Sequence, residues 1–137
     1  MAKLTVGQAK AYRLQIDALK EFSFEGYRRG FYDLDQDSIV WFPHLDGSQA
    51  GNPKFKNKMV ANGAFIEEIS PTDDKFNANK NRQHCRRFAF PTDGKGHPYR
   101  FEGVYEVDRI DPVKRKIIYR RISKTLDTTP WHGKVIH

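Results

Sequence analysis

Tyr27, Phe31, Tyr32 and Asp33 stand within seven positions, and Trp41 follows at the end of the next apolar run. These residue types can hold a flat heteroaromatic ring. A base taken out of its stack needs a surface on each face and one polar group to read its edge. Asp33 or Asp35 can accept a hydrogen bond from an exocyclic amine, which makes the group base-binding in character. Cations that could meet phosphates surround the group in sequence: Arg28, Arg29, Lys54, Lys56, Lys58, Lys80, Arg82, Arg86, Arg87, Arg120 and Arg121. Lys54-Phe55-Lys56 interleaves an aromatic with two cations, a pattern suited to probing a groove.

Motifs for chemistry on covalent bonds are missing. The sequence has no glycine-rich phosphate loop, no His-Glu-x-x-His and no nucleophile elbow. The five histidines, His44, His84, His97, His132 and His137, lack metal-ligand spacing, and His84-Cys85 is too little for zinc. Glu67-Glu68 has no carboxylate-x-lysine nuclease pattern beside it. The expectation is therefore no catalysis, no metal and no cofactor. Two alternatives stay open. One is a small metal-independent endoribonuclease of toxin type, with His84, His97, Arg100, Glu102 and Tyr105 as acid, base and phosphate-stabilising groups. The other is a phage or mobile-element protein-interaction module.

Charge points toward a polyanion. In residues 1–70 nine cations balance nine carboxylates, whereas residues 71–137 carry fifteen against eight, so the whole surplus of +7 lies in the second half. Nucleic acid is the commonest partner for such a surplus. The single cysteine, Cys85, excludes an internal disulfide, and no apolar run reaches membrane-spanning length. A basic, cytoplasmic protein with no membrane partner is expected.

These residues must be held by a small set of elements. From Tyr99 to Asp108 apolar and polar residues alternate, with Val104 the one exception, which predicts a strand with one buried face. Asp111-Pro112-Val113-Lys114 predicts a turn, and Lys116–Ser123 the returning strand. Thr5 and Gln8 have capping-box spacing, and Ala9, Tyr12, Ile16, Leu19 and Phe22 recur every three or four residues, predicting a helix over 6–22. Strands are predicted over 38–42, 64–69 and 86–90. Residues 44–57 and 72–83 read as exposed loops, 93–94 as a turn, and Trp131 as a residue that docks on the body. The sum is an α+β domain over 1–127, a small curled β-sheet or barrel of about five strands with an N-terminal helix packed on it, followed by a tail at 128–137.

Three segments carry a resemblance. Arg86-Arg87-Phe88-Ala89-Phe90, Tyr99-Arg100-Phe101-Glu102-Gly103-Val104-Tyr105-Glu106-Val107-Asp108 and Ile118-Tyr119-Arg120-Arg121-Ile122-Ser123 resemble a recurring block of PUA-like and SRA-like modules of bacterial restriction systems. Upstream, Trp41-Phe42-Pro43-His44, Gly47, Gly51-Asn52-Pro53 and Asn57-Lys58-Met59 are loosely similar to the same modules. The resemblance implies a small barrel that reads DNA and takes in a flipped and often modified base, which favours DNA over RNA as partner where the residues alone leave both open. Such modules usually arrive fused to a nuclease, for which this chain has no room, so a separate nuclease partner in restriction-modification is implied. Tyr27, Phe31, Tyr32, Asp33 and Trp41 are then the base-binding candidates. Arg28, Arg29, Lys54, Lys56, Lys58, Arg82, Arg86, Arg87, Arg120 and Arg121 are the backbone candidates.

Overall fold

The computed structural model describes residues 3–8, 11–22, 31–45, 55–93 and 97–131. Their elements in chain order are β1 (Lys3–Thr5), α1 (Gln15–Leu19), β2 (Phe31–Asp33), β3 (Ser38–Trp41), β4 (Lys56–Val60), β5 (Phe65–Ile69), α2 (Asp73–Lys80), β6 (Arg86–Ala89), β7 (Gly103–Asp111), β8 (Lys116–Ser123) and β9 (Thr125–Asp127). Seven strands form one mixed sheet in the order β2-β3-β6-β7-β8-β5-β4, with β3 and β6 its parallel pair. A separate two-stranded sheet joins β1 to β9.

Each face of the seven-stranded sheet has its own core. Val40, Phe88 and Val104 point to one side, where they pack with Ala18, Leu19, Phe22, Leu126 and Trp131. Ile39, Trp41, Ala89, Tyr105, Ile117 and Tyr119 point to the other, against Phe76 of α2. This explains Val104. Strand β7 starts at Gly103 rather than Tyr99 and lies there between two cores, so both its faces are apolar; alternation resumes at Glu106 and is broken again at the register shift between Val107 and Arg109.

The sheet is strongly curled. Met59 of β4 and Pro91 beyond β6 line one cleft, although four strand intervals separate them, about 19 Å in a flat sheet. Register shifts in the β7–β8 pair, between Val104 and Tyr105 and between Val107 and Arg109, help to bend it. The face carrying Tyr105 and Tyr119 is the concave one, because the Tyr105 hydroxyl reaches across β8 to donate to the Gly63 carbonyl in the β4–β5 turn.

Several elements differ from the sequence reading. The N-terminal helix is only Gln15–Leu19, extended by a 3-10 turn at Lys20–Phe22, and Thr5 lies in β1 rather than capping it. Pairing with β9 wins over the capping-box spacing, and Tyr12 forms an isolated bridge to Tyr99. Residues 72–83 hold α2. The Thr72 hydroxyl accepts from Lys75 N–H at 3.2 Å, and Asp73 and Asp74 favour the helix's positive end. Strands β1, β2, β4 and β9 are additions to the expected set, each only three to five residues long. Past Asp127 the chain re-enters the core: Trp131 packs on Phe22 and Phe88 and donates its indole N–H to Asp35 at 3.1 Å.

Candidate nucleic-acid interface

Strand directions bring several segments to one end of the half-barrel. β3 and β6 run parallel toward it and leave through residues 43–45 and 91–93, while β7 begins there after residues 98–102. The cleft between them measures about 190 Å³ and is lined by Leu45, Met59, Pro91, Asp93, Pro98, Arg100 and Glu102. Its walls are mixed: Leu45, Met59, Pro91 and Pro98 are apolar, and two carboxylates and one guanidinium supply the polarity.

Glu102 is the best-held of these groups. The Arg121 Nη1 donates to the Glu102 main-chain carbonyl at 3.2 Å and stands 3.5 Å from Glu102 Oε2. Burial pushes the Glu102 carboxyl up, Arg121 opposes that, and Asp93 adds to it. Tyr105, beneath, is pushed up to about 12, chiefly by burial, so it stays a neutral donor. Among the described residues no hydrogen bond holds Glu102 Oε1.

Deeper in the concave face lies a closed set. Arg87 is 1% exposed, and its guanidinium sits over Tyr119, Trp41 and Phe31 at 4.7, 5.0 and 5.7 Å from the ring centroids. Arg87 Nη2 donates to Asn79 Oδ1 at 2.9 Å, while Nε and Nη1 have no partner among the described residues. Tyr119 donates to Glu68 at 3.1 Å, and burial pushes the Glu68 carboxyl up against the pull of Arg87.

The base-binding candidates therefore separate. Phe31, Asp33 and Trp41 share the concave side, as the two-residue period of β2 and its register with β3 require. Phe31 and Trp41 enclose Arg87 there, and Asp33 is gripped by Arg82 through two bonds of 3.0 and 3.2 Å. Tyr32 faces the opposite core, buried against Phe42, and donates to Gln15. It cannot share a ring with Phe31. Asp35 is held by Trp131 and by the Asp37 N–H. Tyr27, Arg28, Arg29 and Lys54 lie outside the described residues.

The cations separate too. Arg87 has no route to a phosphate, because it is core. Arg120 is paired with Glu106 at 2.7 Å and lies 4.0 Å from Asp108, and Arg121 is paired with Glu102. Lys56, Lys58 and Arg86 are exposed without a carboxylate partner among the described residues. In the sequence, Glu102 and Arg100 are candidates only for the ribonuclease alternative, and Met59 and Asp93 are not among the site candidates. The signal available was Glu102 at the head of the aromatic strand, beside Gly103. The residues of that alternative do not converge: His84 precedes β6, and Glu102 lies beyond its other end, about 13 Å along the strand.

The fold has a solved counterpart, "The 5-Hydroxymethylcytosine-Specific Restriction Enzyme AbaSI". The TM-score is 0.70 and the identity 21%, over 92% of this chain and 42% of that one. This chain thus spans less than half of that protein. No curated protein matches the sequence. The model of the SRA domain, "SET and RING associated domain", matches residues 17–128, most of the chain, which therefore belongs to the SRA domain family.

Proposed function

We propose that this SRA module binds DNA and holds one base, turned out of the duplex, in the cleft at the mouth of the half-barrel. The observation that carries this reading is the cleft itself, with Glu102 in its wall. A cavity of about 150 Å³ can take one benzene, so about 190 Å³ suits one pyrimidine ring with a small substituent. Met59, Leu45, Pro91 and Pro98 offer apolar contact to the ring, and Glu102 Oε1 accepts from its exocyclic amine. That preference points to cytosine. AbaSI is named as specific for 5-hydroxymethylcytosine, which favours a modified cytosine, DNA over RNA, and a place in restriction-modification beside a separate nuclease. Arg100, at the rim, and Lys56 and Lys58, on the neighbouring edge strand, meet phosphates. Asp33, Phe31 and Trp41 support the site from beneath through Arg82 and Arg87.

A binding panel tests the proposal, using duplexes with one central cytosine, 5-methylcytosine or 5-hydroxymethylcytosine, and a single-stranded RNA. The wild type should prefer one modified duplex over the plain one. Glu102→Gln should weaken binding of the preferred duplex about tenfold or more, because an amide accepts the amine of the turned-out base less strongly than a carboxylate. Plain duplex, held through its phosphates without a base in the cleft, should be little affected. Equal wild-type affinity for all four ligands, or full preference in Glu102→Gln, would defeat the proposal.

A further inference from the structure

We propose that Arg121 is a positioning residue for base selection: threaded between Gly63 and Gly103, it fixes the Glu102 carboxylate in the cleft wall without itself touching DNA. This rests on the reading of the cleft given above and assigns Arg121 a role other than phosphate contact. Two glycines make the path. Gly103 has φ +129°, and a Cβ there would come within 2.5 Å of Arg121 Cδ and 2.7 Å of the Ser123 carbonyl oxygen. Gly63 has φ +91°, and a Cβ there would stand 2.9 Å from Arg121 Nη1 and 3.0 Å from Glu102 Oε2. Both positions favour glycine by backbone conformation and again by lack of space. They come from different parts of the chain, the β4–β5 turn and the start of β7, and both open onto the same side chain.

That side chain is fixed at both ends. Its backbone N–H donates to the Ala64 carbonyl at 2.9 Å and its residue pairs with Tyr105 across β7. Its guanidinium bridges the carbonyl and the carboxylate of a single residue, Glu102. Only 12% of the Arg121 side chain is exposed, against 27% for Glu102, so the carboxylate, not the cation, faces the cleft. The charged or titratable groups near Glu102 among the described residues are Arg121 from β8, Asp93 from the segment after β6, and Tyr105 and Arg100 on its own segment. Arg121 is the neighbour identified as favouring the ionised form, while burial and Asp93 act against it. An ionised, fixed carboxylate accepts an amine's hydrogen bond; a protonated one is a poorer acceptor and can donate instead.

The test measures binding of hydroxymethylcytosine and plain duplexes between pH 5 and 8 by wild type, Arg121→Met, Arg121→Lys and Glu102→Gln, with a thermal melt of each. Losing the cation raises the Glu102 pKa further, so base preference in Arg121→Met should fail at a higher pH than in the wild type. At pH 7 the preference should fall about tenfold, and Arg121→Lys should recover the midpoint. The salt dependence on plain duplex should not change, since no phosphate contact is lost. If Arg121→Met does not fold, Gly63→Ala, which crowds the pair, should reduce preference in the same way. A folded Arg121→Met or Gly63→Ala with wild-type preference and midpoint overturns the positioning role when Glu102→Gln still abolishes preference. If Glu102→Gln also keeps it, the base-reading cleft falls as well.

Discussion

The concave face carries the same three side-chain types twice, and the two sets differ mainly in depth. Glu68, Tyr119 and Arg87 form the inner set, with Glu68 3% and Arg87 1% exposed. Glu102, Tyr105 and Arg121 form the outer set, at the mouth. In the inner set the carboxylate takes its hydrogen bond from a tyrosine, and the guanidinium is enclosed by three rings. In the outer set the guanidinium reaches the carboxylate directly and leaves one of its oxygens toward the cleft. The same chemistry is structural where water is excluded and available for recognition where the sheet opens.

The largest difference should appear in stability. Removing one partner of a buried charge set leaves the other uncompensated, at a cost of about 3 kcal/mol or more. Arg87→Met should lose that much in urea unfolding, and Arg87→Met combined with Glu68→Gln should recover part of it. Arg121→Met, in the half-open set, should lose less. Equal losses would erase the distinction between the two regions.

Acid provides the next contrast. The folded Glu68 carboxyl titrates above its ordinary 4.5, so between that value and its folded pKa the native state binds more protons than the unfolded chain. Its contribution to stability is full below pH 4.5 and is lost as pH rises through the folded value. Glu68→Gln should therefore flatten the pH dependence of unfolding in this window, removing at most about 1.4 kcal/mol per pH unit. Glu102, raised in the same direction but partly exposed, should contribute a shallower slope. A Glu68→Gln curve parallel to wild type would show that the Glu68 carboxyl does not change its proton affinity on folding.

The architecture is largely visible in the sequence, and the proposed cleft is not. The β7–β8 hairpin announced itself through alternation and the Asp111-Pro112 turn, because a sheet with distinct faces imposes a period of two. The resemblance over residues 86–123 led to the SRA family. The short elements were hidden: β2 and β4 are held by neighbours rather than by propensity, and α2 buries only Phe76 and Asn79. Arg87 misled because a cation in a strand reads as surface, and only the ring partners from β2, β3 and β8 make it core. Glu102 was hard to select because its value depends on Met59 and Pro91, which the curl brings together from distant strands.

The smallest predicted effect concerns Arg120 and separates cations that reach DNA from cations that do not. Arg120 and Glu106 are 54% and 41% exposed in their side chains, so their pair should be worth less than about 0.5 kcal/mol. Arg120→Ala should leave the unfolding midpoint almost unchanged. Its binding consequence is equally specific. A residue that neutralises one phosphate contributes about 0.9 to the slope of log affinity against log salt on duplex DNA. Arg120 already lies between Glu106 and Asp108, so replacing it should leave the slope unaltered. Lys56→Ala and Lys58→Ala, which release no carboxylate, should each lower it by nearly one. A drop in slope for Arg120→Ala equal to that for the lysines would mean that its ion pairs open on DNA, and the count of free cations would then rise by one.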